Sequence, residues 1–200
     1  MRVLALLFTA AGFLTATGTL SVFGHSWTVH TVSDWKVEPE NGAQILRLLT
    51  HRGPLPGPRR PIQFALAGTP ELQKATVEAD MRPIGKSLLI VFAYRDAAHF
   101  DYAHLSTDTA TKEAHHNGVF HVYDGERVRI SAVDGPAAFS SNGQWHHVQL
   151  VWDGKSGSVH VTVDGQPIPA LDAVDLSLRS GRIGFGSFDE TGDFKNVKIQ

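Results

Sequence analysis

Cysteine is absent from the 200 residues. That excludes disulfides, thiolate metal sites and a lipid anchor on an N-terminal cysteine. Such a domain must be held by its apolar core alone. Neither sign of charge dominates: 18 Lys and Arg face 20 Asp and Glu, a formal net charge of -2. That balance gives no reason to expect nucleic acid or an acidic membrane as partner. No uninterrupted apolar run reaches the roughly 20 residues of a spanning helix. What is present is apolar content, at 42% of the chain. That suffices for one sizeable β domain, and the length is short for two.

The start of the chain reads as a secretory signal peptide, with an uncleaved N-terminal membrane anchor as the alternative. Met1-Arg2 precedes an apolar run from Val3 to about Leu14, broken by Thr9 and Gly12, and small residues follow. Cleavage is expected after Gly18 or Gly24. Residues 1–24 are therefore assigned to the signal and residues 25–200 to a single domain. The expected location is secreted, periplasmic or cell-envelope, with no membrane insertion once the signal is removed. Cleavage after Gly24 makes His25 the mature N-terminus, where an amine and an imidazole can hold copper, but nothing else in the chain supports that.

The remainder reads as short strands separated by turn signals. Gln144 to Asp153 and Ser158 to Gly165 alternate apolar and polar residues across a Gly-rich turn, the pattern of a hairpin with one buried face. Gly118 to Tyr123 and Arg127 to Val133 pair around Asp124-Gly125. Further strands are predicted over Gln44–Leu49, Lys74–Arg82, Leu88–Tyr94, Phe100–Leu105, Arg182–Phe188 and Phe194–Ile199. The segment 53–61 holds four prolines and reads as a stiff loop. Its Arg59 and Arg60 suit either an anionic contact or plain solvation. About a dozen strands without a convincing helix imply a sandwich or barrel.

Three passages carry a family resemblance. They are Trp145-His146-x-Val148, the arm Gly157-x-Val159-x-Val161-x-Val163-Asp164-Gly165, and Gly184-Phe185-Gly186. They resemble laminin-G-type domains and, more broadly, the concanavalin A-like lectin/glucanase superfamily. Val91 to Asp96, followed by His99-Phe100-Asp101-Tyr102, is similar to a passage of secreted bacterial members. The resemblance spans roughly Trp35 to Gln200. It implies an all-β jelly-roll sandwich of two curved antiparallel sheets, with glycans bound on the concave sheet or at the rim.

Strand alternation selects candidate site residues. Val77, Ala79, Met81, Ala103, Leu105, Val128, Ile130, Val148, Leu150, Trp152, Val159, Val161 and Val163 suit the core. Tyr102 and Tyr123 then become candidates to stack on sugar rings. His104, His121, Arg127, Arg129 and Gln149 become hydrogen-bonding candidates for hydroxyls or a uronate carboxylate. Arg95, within the passage that carries the resemblance, completes the set. The alternative for each is an ordinary solvated sheet face.

No catalytic residue is assigned. Glu78-x-Asp80 resembles the start of the carboxylate motif of retaining glycosidases of this fold, but Arg82 stands where a second Glu is required. A polysaccharide lyase would draw on Tyr102, His104, His121 and Arg127, at spacings that match no lyase motif. His115-His116 lies in a loop and can share a metal; His146 and His147 point to opposite sides of a strand and cannot. No cofactor is expected, and Asp96, Asp153 and the turn Asp189 to Asp193 leave calcium open. The function expected is a non-catalytic carbohydrate-binding domain. The alternatives are a polysaccharide lyase or glycoside hydrolase, and a protein-binding envelope module.

Overall fold

The computed structural model describes residues 17–53, 57–113 and 115–200. Residues 1–16, most of the expected signal, lie outside that range, as do three residues of the proline loop. Two antiparallel sheets stack into a jelly-roll sandwich. The first runs in the order β1 (Gly18–Val22), β2 (His25–Val29), β5 (Gln63–Ala67), β15 (Arg182–Ser187), β7 (Ser87–Asp96), β8 (His99–Ser106), β9 (Gly118–Tyr123), β10 (Glu126–Arg129). The second runs β13 (Gln166–Pro167), β12 (Ser158–Val163), β11 (His146–Asp153), β6 (Lys74–Pro83), β16 (Gly192–Ile199), β4 (Ala43–Leu48), β3 (Trp35–Glu40). The short β14 (Ala173–Val174) lies beside β12. A four-residue helix, α1 (Ala110–Glu113), interrupts the polar loop after β8.

The alternation expected in the β11–β12 hairpin is present. Val148, Leu150 and Trp152 stand opposite Val163, Val161 and Val159, and all six are buried. They pack with Val77, Ala79 and Met81 of β6 against Leu88, Ile90, Phe92 and Phe185 of the first sheet. The hairpins turn on backbone that favours Asn, Asp and Gly. Asp124-Gly125 and Asp164-Gly165 both have positive φ, as a two-residue turn between right-twisted strands requires.

Strand structure begins before residue 25: Gly18–Val22 pairs along its whole length with β2, so the two expected cleavage points, after Gly18 and after Gly24, differ in whether β1 is kept. One expectation is corrected here. Val128 is 56% exposed rather than core; β10 is the edge strand of the first sheet.

The first sheet also has an apolar outer face. Phe64, Leu66, Leu89, Val91, Phe100, Tyr102, Phe120 and Val122 form a second buried cluster there. The strand register places them on one side: Val91 faces Tyr102, Tyr102 faces Phe120, and Phe100 faces Val122. The stretch of the proline loop that holds Arg59 and Arg60 runs along this sheet. Arg59 lies over the ring of Phe188, while Arg60 donates to the Ala97 carbonyl at the other end of the β7–β8 hairpin.

Candidate functional site

The eight candidate residues do not meet in one groove. Tyr102 and His104 on β8 share the outer face of the first sheet with Arg127 and Arg129 on β10. His121 and Tyr123 on β9 point to the opposite side, because neighbours along a strand alternate. Gln149 is on the second sheet, where it donates to Glu78. Arg95, at the end of β7, donates to Ser180 Oγ at 3.4 Å. Tyr102 is fully buried, so the sugar-stacking role expected of it is not available.

Arg127 is the member of the outer group that is open for binding. Its guanidinium lies 5.3 Å from the ring centroid of Phe120 and 4.8 Å from that of Phe188. Its hydrogen bond among the described residues is Nη1 to Tyr102 Oη at 3.3 Å. Among the described residues no carboxylate pairs with it, which leaves most of its donors unused there. A groove runs beside it, lined by Arg59, Lys86, His104, His116, Phe188 and Glu190. Arg129, by contrast, is consumed by structure. It donates to the carbonyls of Asn117, Ser131 and Val133 and lies 3.2 Å from Asp134.

His104 forms the polar floor of this groove. Its Nδ1 donates to the His116 carbonyl and its Nε2 accepts from Ser87 Oγ at 3.1 Å. Burial pushes its pKa down to about 4, so the ring is neutral near pH 7. Burial pushes the Tyr102 hydroxyl up to about 12, with Arg127 acting in the opposite direction. The lyase alternative needs a base exposed to substrate. His104 has both nitrogens bonded and Tyr102 is sealed, so this pair does not supply one.

The carboxylates on β6 are also occupied. Glu78 is held ionised, first by its hydrogen bond from Lys198 and also by Gln149. Asp80 accepts from His147 at 2.9 Å and Asn196 at 2.7 Å. Arg82 is bonded to Asp193 and Glu40 and lies 4.4 Å from the Trp145 ring centroid, with Lys195 4.1 Å from it. An acid and a nucleophile both free to face a glycosidic bond are not formed there.

The turn carboxylates are used locally. Asp96 accepts from Ala98 N, and Asp153 from Lys155 N. Asp193 is 1% exposed and bonded by Arg47 and Arg82, which leaves no place for calcium on it. His115 and His116 do not converge: they face Asp134 and Asp108 respectively.

Sequence reasoning missed one constellation. On the inner side of the first sheet, Asp101 of β8, His121 of β9 and Asp175, just after β14, come together. His121 Nδ1 is 2.7 Å from Asp101 Oδ1 and 2.8 Å from Asp175 Oδ2. Burial, with the Asp175 charge nearby, pushes the Asp101 carboxyl up to about 6, against the hydrogen bond from His121. The His121 pKa is raised, chiefly by that bond. The cross-strand register brings Asp101 beside His121, but no local pattern announces Asp175.

No protein-family model and no curated protein matches the sequence. Solved structures match by fold. The chain is similar to the carbohydrate binding module CBM66 from Bacillus subtilis, at 16% identity and a TM-score of 0.61, over 87% of this chain and 94% of that one. It is similar to a protein of unknown function with a galectin-like fold from Bacillus subtilis, at 16% identity and a TM-score of 0.50, over 84% of this chain and 90% of that one. It is also similar to the GH43 protein BlXynB from Bacillus licheniformis, at 14% identity and a TM-score of 0.52, over 87% of this chain and 36% of that one. At such identities the likeness establishes the jelly-roll or galectin-like sandwich and nothing finer. Among the described residues no helix is long and apolar enough to cross a membrane.

Proposed function

We propose that this chain is an exported carbohydrate-binding domain of the concanavalin A-like class. Its glycan lies in the groove beside Arg127 on the outer face of the first sheet. The observation that carries the reading is Arg127 itself. Its guanidinium is stacked against Phe120 and Phe188, has no carboxylate partner among the described residues and borders a groove with a neutral histidine floor. A planar fork held in place by two rings loses little freedom when it binds, and it matches a sugar carboxylate or a pair of adjacent hydroxyls. Arg59 and Lys86 also line the rim, each 4.0 Å from a carboxylate, Asp189 and Asp108 respectively, so Arg127 is the cation this reading relies on. The fold-level likeness to a carbohydrate binding module supports the ligand class.

The test is a glycan array carrying neutral and uronate-containing sugars, followed by calorimetry on the best ligand. Arg127→Ala is expected to weaken binding at least tenfold. Arg127→Lys should restore little of it, because an ammonium lacks the fork. Absence of any glycan ligand, or equal affinity for the Arg127→Ala protein, would overturn the reading.

A further inference from the structure

We propose that Asp101, His121 and Asp175 form a binding site for one divalent transition-metal cation of the zinc or manganese type. The argument starts from a single proton. His121 Nδ1 stands 2.7 Å from Asp101 Oδ1 and 2.8 Å from Asp175 Oδ2. One N–H points along one axis, and it serves Asp101. Asp175 Oδ2 is thereby left buried with no donor, and so is Asp101 Oδ2. The Asp101 side chain is only 1% exposed, so water does not compensate it. Two carboxylates converging on one imidazole nitrogen are under-neutralised by one proton. A dication in place of that proton satisfies all three.

The geometry is close to what coordination needs. One ligand atom from each residue lies within 4.8 Å of the others. Metal–ligand bonds of ~2.1 Å set neighbouring ligand atoms roughly 3.0–3.4 Å apart. The cluster would open by only a few tenths of an ångström at its shortest contacts. With metal on Nδ1 the ring proton moves to Nε2, and Ser177 Oγ, 3.5 Å from Nδ1 and 3.4 Å from Nε2, lies beside the ring while donating to Asp175 Oδ1. His121 and Asp175 retain 12% and 15% side-chain exposure, which gives an ion access.

The donor set selects the metal. Calcium takes oxygen ligands; the imidazole nitrogen favours a transition ion such as zinc, and the two carboxylates also suit manganese. Other His–Asp contacts among the described residues, such as His147–Asp80 and His160–Asp172, offer one carboxylate each. The bound ion would fasten the connection from β14 to β15 onto β8 and β9. The inference is independent of the glycan reading, since Arg127 lies on the other face of the sheet.

The test uses the intact chain, stripped with a chelator and titrated calorimetrically with zinc chloride, manganese chloride and calcium chloride. One zinc or manganese ion per chain is expected, with calcium far weaker. The melting temperature should rise by about 5–10 °C at a hundredfold excess over Kd. Asp175→Asn and His121→Gln should each weaken binding at least tenfold, while the metal-free variants still melt cooperatively. His160→Gln should bind like the parent. No binding of either transition metal, or binding that Asp175→Asn or His121→Gln leaves unchanged, overturns the proposal. Should one variant fail to fold, the other decides.

Discussion

Asp193 accepts a hydrogen bond from Arg82 Nε at 2.8 Å with only 1% of its side chain exposed. Arg47 bonds the same carboxylate, Glu40 pairs with both guanidiniums, and Glu38 pairs with Arg47. This network joins β3, β4, β6 and β16 across the outer face of the second sheet. Removing the central charge leaves two largely covered guanidiniums facing each other. Asp193→Ala is expected to lower the unfolding free energy by about 2–3 kcal/mol. Urea denaturation measures it. A loss below about 1 kcal/mol would mean that Glu38 and Glu40 already neutralise both arginines.

His104 sets an acid limit on stability. Its pKa falls from 6.5 to about 4 because burial disfavours the charged ring. Above pH 6.5 both folded and unfolded chains hold it neutral. As pH falls towards 4 the unfolded chain gains a proton that the folded chain refuses, so stability drops by about 1.4 kcal/mol per pH unit. Below pH 4 this contribution levels off. His104→Gln keeps a donor and an acceptor but does not titrate. Between pH 7 and pH 4.5 the parent should lose about 2 kcal/mol more than the variant. Parallel pH profiles would show that His104 accepts the proton when folded.

Gly186 belongs to the Gly184-Phe185-Gly186 passage, and its role is steric. A Cβ there would lie 2.0 Å from the Gln63 carbonyl oxygen and 2.6 Å from Phe64 Cα. Both are backbone atoms of the paired strand β5, so neither can rotate aside. Gly186→Ala is expected to cost at least about 3 kcal/mol or to prevent soluble folding. Gly53→Ala, where a Cβ meets nothing within 4 Å, serves as the control and should change the melting temperature little.

How much of this was legible in the sequence depended on local alternation. The β11–β12 hairpin and the turns at Asp124 and Asp164 follow from period two and turn chemistry. Trp145 does not follow: it precedes β11 and holds two cations on its ring instead of filling the core. The candidate site failed for a related reason. One solvated face was assumed for each sheet, whereas Leu88 to Ala93 is an unbroken apolar run and is buried throughout. Such runs signal a strand covered on both sides. That signal places Tyr102 under cover and leaves Arg127, on the edge strand, as the reachable group. Asp175 was out of reach because its contact with β8 and β9 is purely tertiary.

The domain boundary gives the last prediction. A chain beginning at Thr17 retains β1, whereas one beginning at His25 does not. β1 caps the edge of β2, Val22 is 7% exposed, and the buried Trp27 indole donates to the Val22 carbonyl at 3.0 Å. Deleting residues 1–24 leaves that N–H without its acceptor, at a cost of about 1–3 kcal/mol. It also uncovers the apolar side chains that Val22 and Leu20 pack against. The chain from Thr17 should melt several degrees above the chain from His25. If export is confirmed, mass spectrometry of the mature protein should find an N-terminus at or before Thr19. Equal melting temperatures for the two chains would show that β1 is dispensable and would return the boundary to Gly24.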